Sequence, residues 1–345
     1  MAELSRRIPA PAPRLKLLQA TVCCLLYTSA GDVAVMPMRE SVVAVAGRAA
    51  ALPSATLEDR RALALAITDQ AYDLAIVASD RAAAMERIGE ATRQLETLAR
   101  EAPGDRLLRQ AQADTYERAS AIVEQSLDAG DLPRAIDLQQ RSVELTEALH
   151  REDPLDQRLE QSVVKRLTNL ADSQRLAGQL DAAAGSLARA RAVSAPAWVR
   201  EPGNAANAVS HLRALNVSLA VEQARGRPES ALALSQEMEG LVTKLPEAVR
   251  STIRVRANIA NARGYTGLAY MALAGSPRTP PAERLPAARK ARGLLAESRA
   301  FRQEMADRNL DAATSRKLVE QIGEAIAECD ALIARLRGGP GAAGT

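Results

Sequence analysis

Residues 130–145 read GDLPRAIDLQQRSVEL, and this stretch decides the fold. Gly130, Asp131 and Pro133 together signal the end of one helix and the start of the next. Glycine enters the left-handed region without a Cβ penalty, an Asp side chain can cap free N–H groups, and proline suits a first helical turn. Ala135, Ile136, Leu138, Val143 and Leu145 then mark the apolar face of the second helix. The beat returns at Gly178 and Gly226, each 48 residues on, and at Gly275 after 49 more. Ala135, Ala183 and Ala231 each follow their glycine by five residues. A fixed period in this range predicts stacked helical repeats rather than one globular core.

Working outward, the prolines keep the same time. Pro103, Pro154 and Pro202 stand 51 and 48 residues apart. Each predicts a boundary between helix pairs, because proline lacks an N–H and disfavours helix in the residue before it. The first pair starts near Thr56 and is punctuated by Ser79-Asp80, with a second helix over about 81–100. The next begins at Leu107, with Gly130 ending its first helix and Asp131 capping its second. In the third, Gly178 breaks the pair and Asp181 opens the second helix. The fourth turns at Gly226-Arg227-Pro228. A fifth, irregular pair has a first helix over about 246–274, the expanded loop SPRTPPAERLP, and a helix over about 287–307. A last helix over about 312–336 has no partner after it.

The composition agrees. The apolar content is mostly Ala and Leu, and Trp198, Phe301 and five Tyr are the only aromatic residues. Strands favour β-branched and aromatic residues, whereas Ala, Leu, Arg, Glu and Gln favour helix. The expected fold is all-α: a right-handed superhelical solenoid of about five helix-turn-helix pairs with long helices and a C-terminal capping helix. Residues 55–310 form the repeats, 30–54 a leader segment or partial helix, 311–337 the cap and 338–345 a disordered tail. Residues 1–29 stand apart. The uncharged run LLQATVCCLLYTSAG after Arg14 and Lys16 has a signal-like pattern, while Cys24–Ser29 is similar to a translated sequencing adapter.

The formal net charge is +3 with both signs interspersed, so no nucleic-acid footprint is expected. The three cysteines and two histidines make no zinc or redox spacing. No nucleophile elbow, metalloprotease motif or phosphate-binding loop occurs. Expectations are therefore no enzyme activity, no catalytic residues, no cofactor, no metal and no membrane span within the repeats. Cys329 should be buried, and Trp198 should staple neighbouring repeats.

GDLPRAIDLQQRSVEL resembles the second helix of a tetratricopeptide repeat, with Ala135, Ala183 and Ala231 at the small crossing position. Leu170-Ala171-Asp172 resembles part of that family's first helix. The period here is longer than the usual ~34 residues. ALPSATLEDRRALA and IAECDALIARL are similar to the opening and closing stretches of the repeat region of bacterial transmembrane serine/threonine kinases, over about 52–336. The kinase motifs are absent from this chain. The resemblance implies a protein-interaction scaffold that binds a peptide or protein in a concave groove, and its kinase-like stretches imply the sensor part of such a kinase. It would then sit outside the cytoplasm, and otherwise within it. A structural module stacking through an apolar terminal repeat is the alternative reading.

Arg118, Arg166, Arg213 and Arg263 recur 48, 47 and 50 residues apart, each in a first helix. Asn169 and Asn216 follow Arg166 and Arg213 by three. The resemblance places first helices on the concave surface, so these six residues form the candidate groove for an acidic or extended partner. Arg offers a planar fork to carboxylates and Asn pairs with peptide groups.

Overall fold

A computed structural model describes residues 31–125, 130–310 and 312–338. The expectations for residues 1–29 and for the tail from 339 lie outside these residues. Among the described residues there are thirteen helices and no strand. They are α1 Gly31–Ala50, α2 Leu57–Ile76, α3 Arg81–Glu101, α4 Arg106–Glu124, α5 Leu132–Glu152, α6 Gln157–Leu176, α7 Leu180–Arg200, α8 Ala205–Ala224, α9 Pro228–Thr243, α10 Glu247–Arg250, α11 Ile253–Gly275, α12 Pro281–Asp307 and α13 Ala312–Gly338. The chain divides into two compact units, Met1–Arg166 and Leu167–Thr345, with the boundary inside α6.

The repeat is written most clearly in its turns. The helices α3, α5 and α7 end at Ala102, Asp153 and Glu201, whose φ/ψ values are −137/70°, −140/79° and −139/73°. A proline follows each. Three residues past each C-cap, Asp105, Asp156 and Asn204 donate their N–H groups to the C-cap carbonyl at 3.0, 3.2 and 3.0 Å. Their side-chain oxygens then accept from the next helix: Asp105 from Leu108 N–H (2.8 Å), Asp156 from Arg158 N–H (2.9 Å) and Asn204 from Ala206 N–H (3.0 Å). One four-residue sequence thus ends a helix, reverses the chain and satisfies the free donors of its successor. Thr56 starts α2 with a capping box closed by Asp59.

The turns inside the pairs are less uniform. Gly178 and Gly226 adopt φ of +74° and +68°, two residues past the ends of α6 and α8. The N–H groups of Gln179 and Arg227 reach back to the carbonyls of Gln174 and Glu222, the bond that marks a left-handed helix terminus. Ser79 is likewise left-handed, with φ 55°, three residues past α2 and five before Ala84, so the beat begins one pair earlier than glycine alone shows. The alanine follows suit. Ala84, Ala135, Ala183 and Ala231 are each the fourth residue of a second helix and are fully buried.

Several expectations need correction. Gly130 does not directly close α4, which ends at Glu124 with its C-cap at Gln125. Asp131 precedes α5 without a side-chain cap and instead pairs with Arg81 at 2.6 Å. Asp181 is the second residue of α7, not its opening one. Gly275 is the last residue of α11, followed by an extended Ser276. Segment 246–274 is broken at Ser251-Thr252 into α10 and α11. The α12 helix begins at Pro281, six residues early, because Pro281 fits a first turn and Pro286 lies close enough to the start to be tolerated. The segment before residue 54 is more than a leader: α1 is a full 20-residue helix with Val42, Val45 and Ala46 packed against Ala66 and Leu63.

Small residues set the helix spacing and larger ones fill what remains. In the first unit, Ala64, Leu95, Leu98, Leu108 and Ala111 form one cluster, and Ala71, Ala84, Ile88, Ala119 and Ile122 another. In the second, Trp198 is buried with Leu212, Leu215, Leu219, Met238 and Val255, joining α7 to α8, α9 and α11. A Cβ at Gly267 would stand 2.8 Å from Leu295 Cγ, so the α11–α12 crossing requires glycine there. Within each unit, first helices touch directly (α2 with α4, α8 with α11), while no comparable backbone contact joins α3 to α5 or α7 to α9.

Candidate interaction surface

In the first unit the seam that joins α1, α2, α4 and the start of α6 is built from charges. Arg39 on α1 donates to Asp73 (2.5 Å) and Asp69 (2.9 Å) on α2. The other oxygen of Asp69 accepts from Arg118 on α4, and Arg118 also lies 5.6 Å from the Tyr72 ring centroid. The Thr68 and Thr115 hydroxyls meet at 3.0 Å. Arg166 on α6 pairs with Asp114 and with Glu117 (3.2 Å), and donates to the Thr146 hydroxyl. Lys165 meets Glu117 at 2.6 Å. Burial raises the Glu117 carboxyl, but Lys165 and Arg166 outweigh it and hold the group below its ordinary value.

The second unit bridges its first helices mainly with amides. Arg213 donates to the Asn169 side-chain oxygen Oδ1 at 2.6 Å. Asn216 on α8 donates to both the backbone carbonyl and the side-chain oxygen of Asn258 on α11, at 2.9 and 2.8 Å. Arg263 pairs with Glu297 across to α12 at 3.0 Å.

The six residues singled out from sequence therefore do not share one setting. Arg166 is only 5% exposed and Asn216 only 4%, and both are occupied by neighbouring helices. Arg118 is half-buried against Asp69. Arg213 and Arg263 are exposed. Nor do the four arginines occupy one repeat position. Measured from the N-caps Asp105, Asp156 and Asn204, Arg118 is the thirteenth residue, Arg166 the tenth and Arg213 the ninth. Gly130 lies six residues past its helix, whereas Gly178 and Gly226 lie two past theirs, so spacing anchored on glycine slips by about one turn. The positions equivalent to Arg118 are Asp69 and Asn169. Arg39, Asp69, Asp73, Asp114 and Glu117 complete the seam and escaped the sequence reading. Asp69 and Asp73 lie 13 and 17 residues past the N-cap Thr56, whereas Asp114 and Glu117 lie 9 and 12 past Asp105, so no shared register marked them.

Two open clefts lie in the second unit. One, of about 670 Å³, has Ile259, Ala260, Ala300 and Phe301 on its floor and the pairs Arg256–Glu304 and Arg263–Glu297 on its rim. The other, of about 420 Å³, runs between α7 and α9 over α8 and is lined by Ala184, Leu187, Ala188, Val221 and Ala233, with Arg191–Glu237 across it. His211 is buried and its Nδ1 shares a hydrogen bond with the Ser194 hydroxyl at 2.9 Å. Burial holds this imidazole below the usual histidine value, an effect that Glu237 opposes and Arg191 reinforces. Cys329 is buried as expected, and burial pushes its thiol up.

Among the described residues, no group of three or more His, Cys, Asp or Glu side chains is placed to hold a metal ion. Among the same residues, no helix is long and apolar enough to cross a membrane. No protein-family model matches the chain, and no curated protein matches it.

Proposed function

We propose that this chain is a non-enzymatic scaffold for protein–protein interaction, its helix pairs stacking as a tetratricopeptide-like, right-handed solenoid. The observation that carries this reading is the repeated turn. Three connections share one backbone geometry, one proline and one capping residue, and four second helices begin with a buried alanine at the same place. Such units cannot bury their apolar faces alone, and stacking them leaves an extended surface on which each repeat presents corresponding side chains. Closer contact between first helices than between second helices is what a curved stack with first helices inside requires. The sensor region of a membrane serine/threonine kinase remains the finer reading that the sequence resemblance supports.

On this reading the groove residues divide by role. Arg166, Asn216 and Arg118 hold neighbouring helices in register. Arg213, with Asn169 beneath it, and Arg263 present charge to a peptide or acidic protein segment. The test is capture of partners from lysate of the source cells by the immobilised chain, followed by identification and titration. Arg213→Gln with Arg263→Gln should weaken binding of the principal partner about tenfold, or about 1.4 kcal/mol, with little change in the unfolding transition because both side chains are exposed. Equal binding by this variant and the parent would remove the groove assignment.

The stacking alternative is less favoured. The side of α13 turned away from α12 carries Arg316, Lys317, Glu320, Glu324 and Glu328. That is the polar outer face of a capping helix rather than an apolar stacking surface.

A further inference from the structure

One end of the last helical layer is almost wholly cationic. The α12 and α13 helices run antiparallel: the Cys329 thiol donates to the Ala288 carbonyl (3.2 Å), while Arg299, further along α12, donates to the carbonyl of the earlier Val319 (3.4 Å). Leu285 near the start of α12 packs in one cluster with Leu332 and Leu336 near the end of α13. This pairing gathers the 276–280 loop, the first turns of α12 and the last turns of α13 at the same end. Arg278, Arg284, Arg289, Lys290, Arg335 and Arg337 all lie there. Arg284 donates to the carbonyls of Thr279 (2.8 Å) and Pro277 (2.9 Å), and Lys290 lies over the Tyr270 ring at 4.5 Å. Among the described residues none of the six has a carboxylate partner. Glu283 is the single acidic residue between positions 278 and 296.

The opposite excess exists in the same chain. Residues 31–166 carry 17 basic and 24 acidic side chains, and residues 167–345 carry 24 basic and 17 acidic. Residues 1–30 add four basic side chains and one acidic, so a chain with a net charge of only +3 holds successive parts of +3, −7 and +7. In the acidic part, Glu40, Glu86 and Glu144 are exposed and have no ionic partner among the described residues. Two copies meet little net repulsion, while the basic end of one is attracted to the acidic part of the other. Such complementarity steers encounter and selects orientation.

We infer that the basic end formed by the 276–280 loop, the start of α12 and the end of α13 docks on residues 31–166 of a second copy of this chain. The contact joins two different surfaces, so it either closes into a ring, the smallest being a two-fold pair, or extends head to tail. It is independent of the groove and of any partner bound there.

Sedimentation of the full chain at about 100 µM protein tests this. At about 50 mM salt the chain should sediment as a dimer or larger species, and at about 500 mM, where the screening length is only a few ångströms, as a monomer. Arg278→Glu, Arg289→Glu and Lys290→Glu together should leave a monomer at low salt. Mixing that variant with Glu40→Lys, Glu86→Lys and Glu144→Lys should restore association. A parent chain that is monomeric at low salt, an association indifferent to salt, or a reversed variant that still self-associates would overturn the proposal. So would a monomer whose basic end binds vesicles of anionic lipid, which would make a membrane surface the occupant.

Discussion

The two units solve the same problem with different chemistry. Each must hold successive helices side by side across a half-buried polar seam. The first uses guanidinium–carboxylate contacts: Arg39 with Asp69 and Asp73, Arg118 with Asp69, Arg166 with Asp114 and Glu117. The second uses amides, Asn169 with Arg213 and Asn216 with Asn258, beside a larger apolar cluster around Trp198. A buried charge is costly to leave without its partner, whereas an amide loses only hydrogen bonds. The ionic seam should therefore be the more brittle under substitution and the amide seam the more forgiving.

The largest expected effect breaks that comparison directly. Arg166→Ala removes a buried guanidinium with its bonds to Thr146, Asp114 and Glu117, leaves Asp114 unpaired and Glu117 with Lys165 alone, and should cost about 3 kcal/mol. Asn216→Ala removes two hydrogen bonds and should cost about 1–3 kcal/mol. Urea unfolding followed by circular dichroism measures both, and equal losses would erase the distinction between the seams.

Acid should separate the units in the opposite order. The folded-state pKa of His211 lies below its unfolded value of about 6.5, so the unfolded chain binds the extra proton first. The second unit then loses stability as pH falls from about 6.5 toward the folded pKa. Glu117, also depressed, contributes stability that is present above its unfolded value of 4.5 and is lost as pH falls below it. Trp198 is the only tryptophan and lies in the second unit. Its fluorescence midpoint in urea should drop between pH 7.5 and 5.5, and His211→Gln should abolish the drop. A midpoint flat over that range in the parent chain would refute the assignment.

The smallest effect concerns the left-handed turns. Ser79 occupies a conformation that costs an L-residue about 1 kcal/mol, which Gly178 and Gly226 avoid. Ser79→Gly should stabilise the chain by up to about 1 kcal/mol and Gly178→Ala should destabilise it by about the same amount. Thermal unfolding of the two variants against the parent reads both signs.

Much of this architecture was legible in advance because its signals are local. Pro103, Pro154 and Pro202 mark boundaries by their own missing N–H groups, and Asp105 and Asn204 cap helices within three residues of themselves. Ser79 hid the first beat because only its backbone angle, not its residue type, matches the glycines. The candidate groove was harder to read. Arg166 sits on the flank of an apolar stripe, where periodicity cannot tell a solvated charge from a buried one. What decides it is Glu117 and Asp114, 49 and 52 residues away on another helix.

The sequence by itself determined that the chain is helical, that its helices pair, and where most of the pairs turn, because propensity, capping and proline sterics act over a few residues. Only the tertiary structure decided which polar side chains became buried clips between helices and which stayed exposed. It also decided that the cations of α12 and α13 meet at one end. Burial and ionic pairing depend on neighbours that stacking, not chain order, brings together.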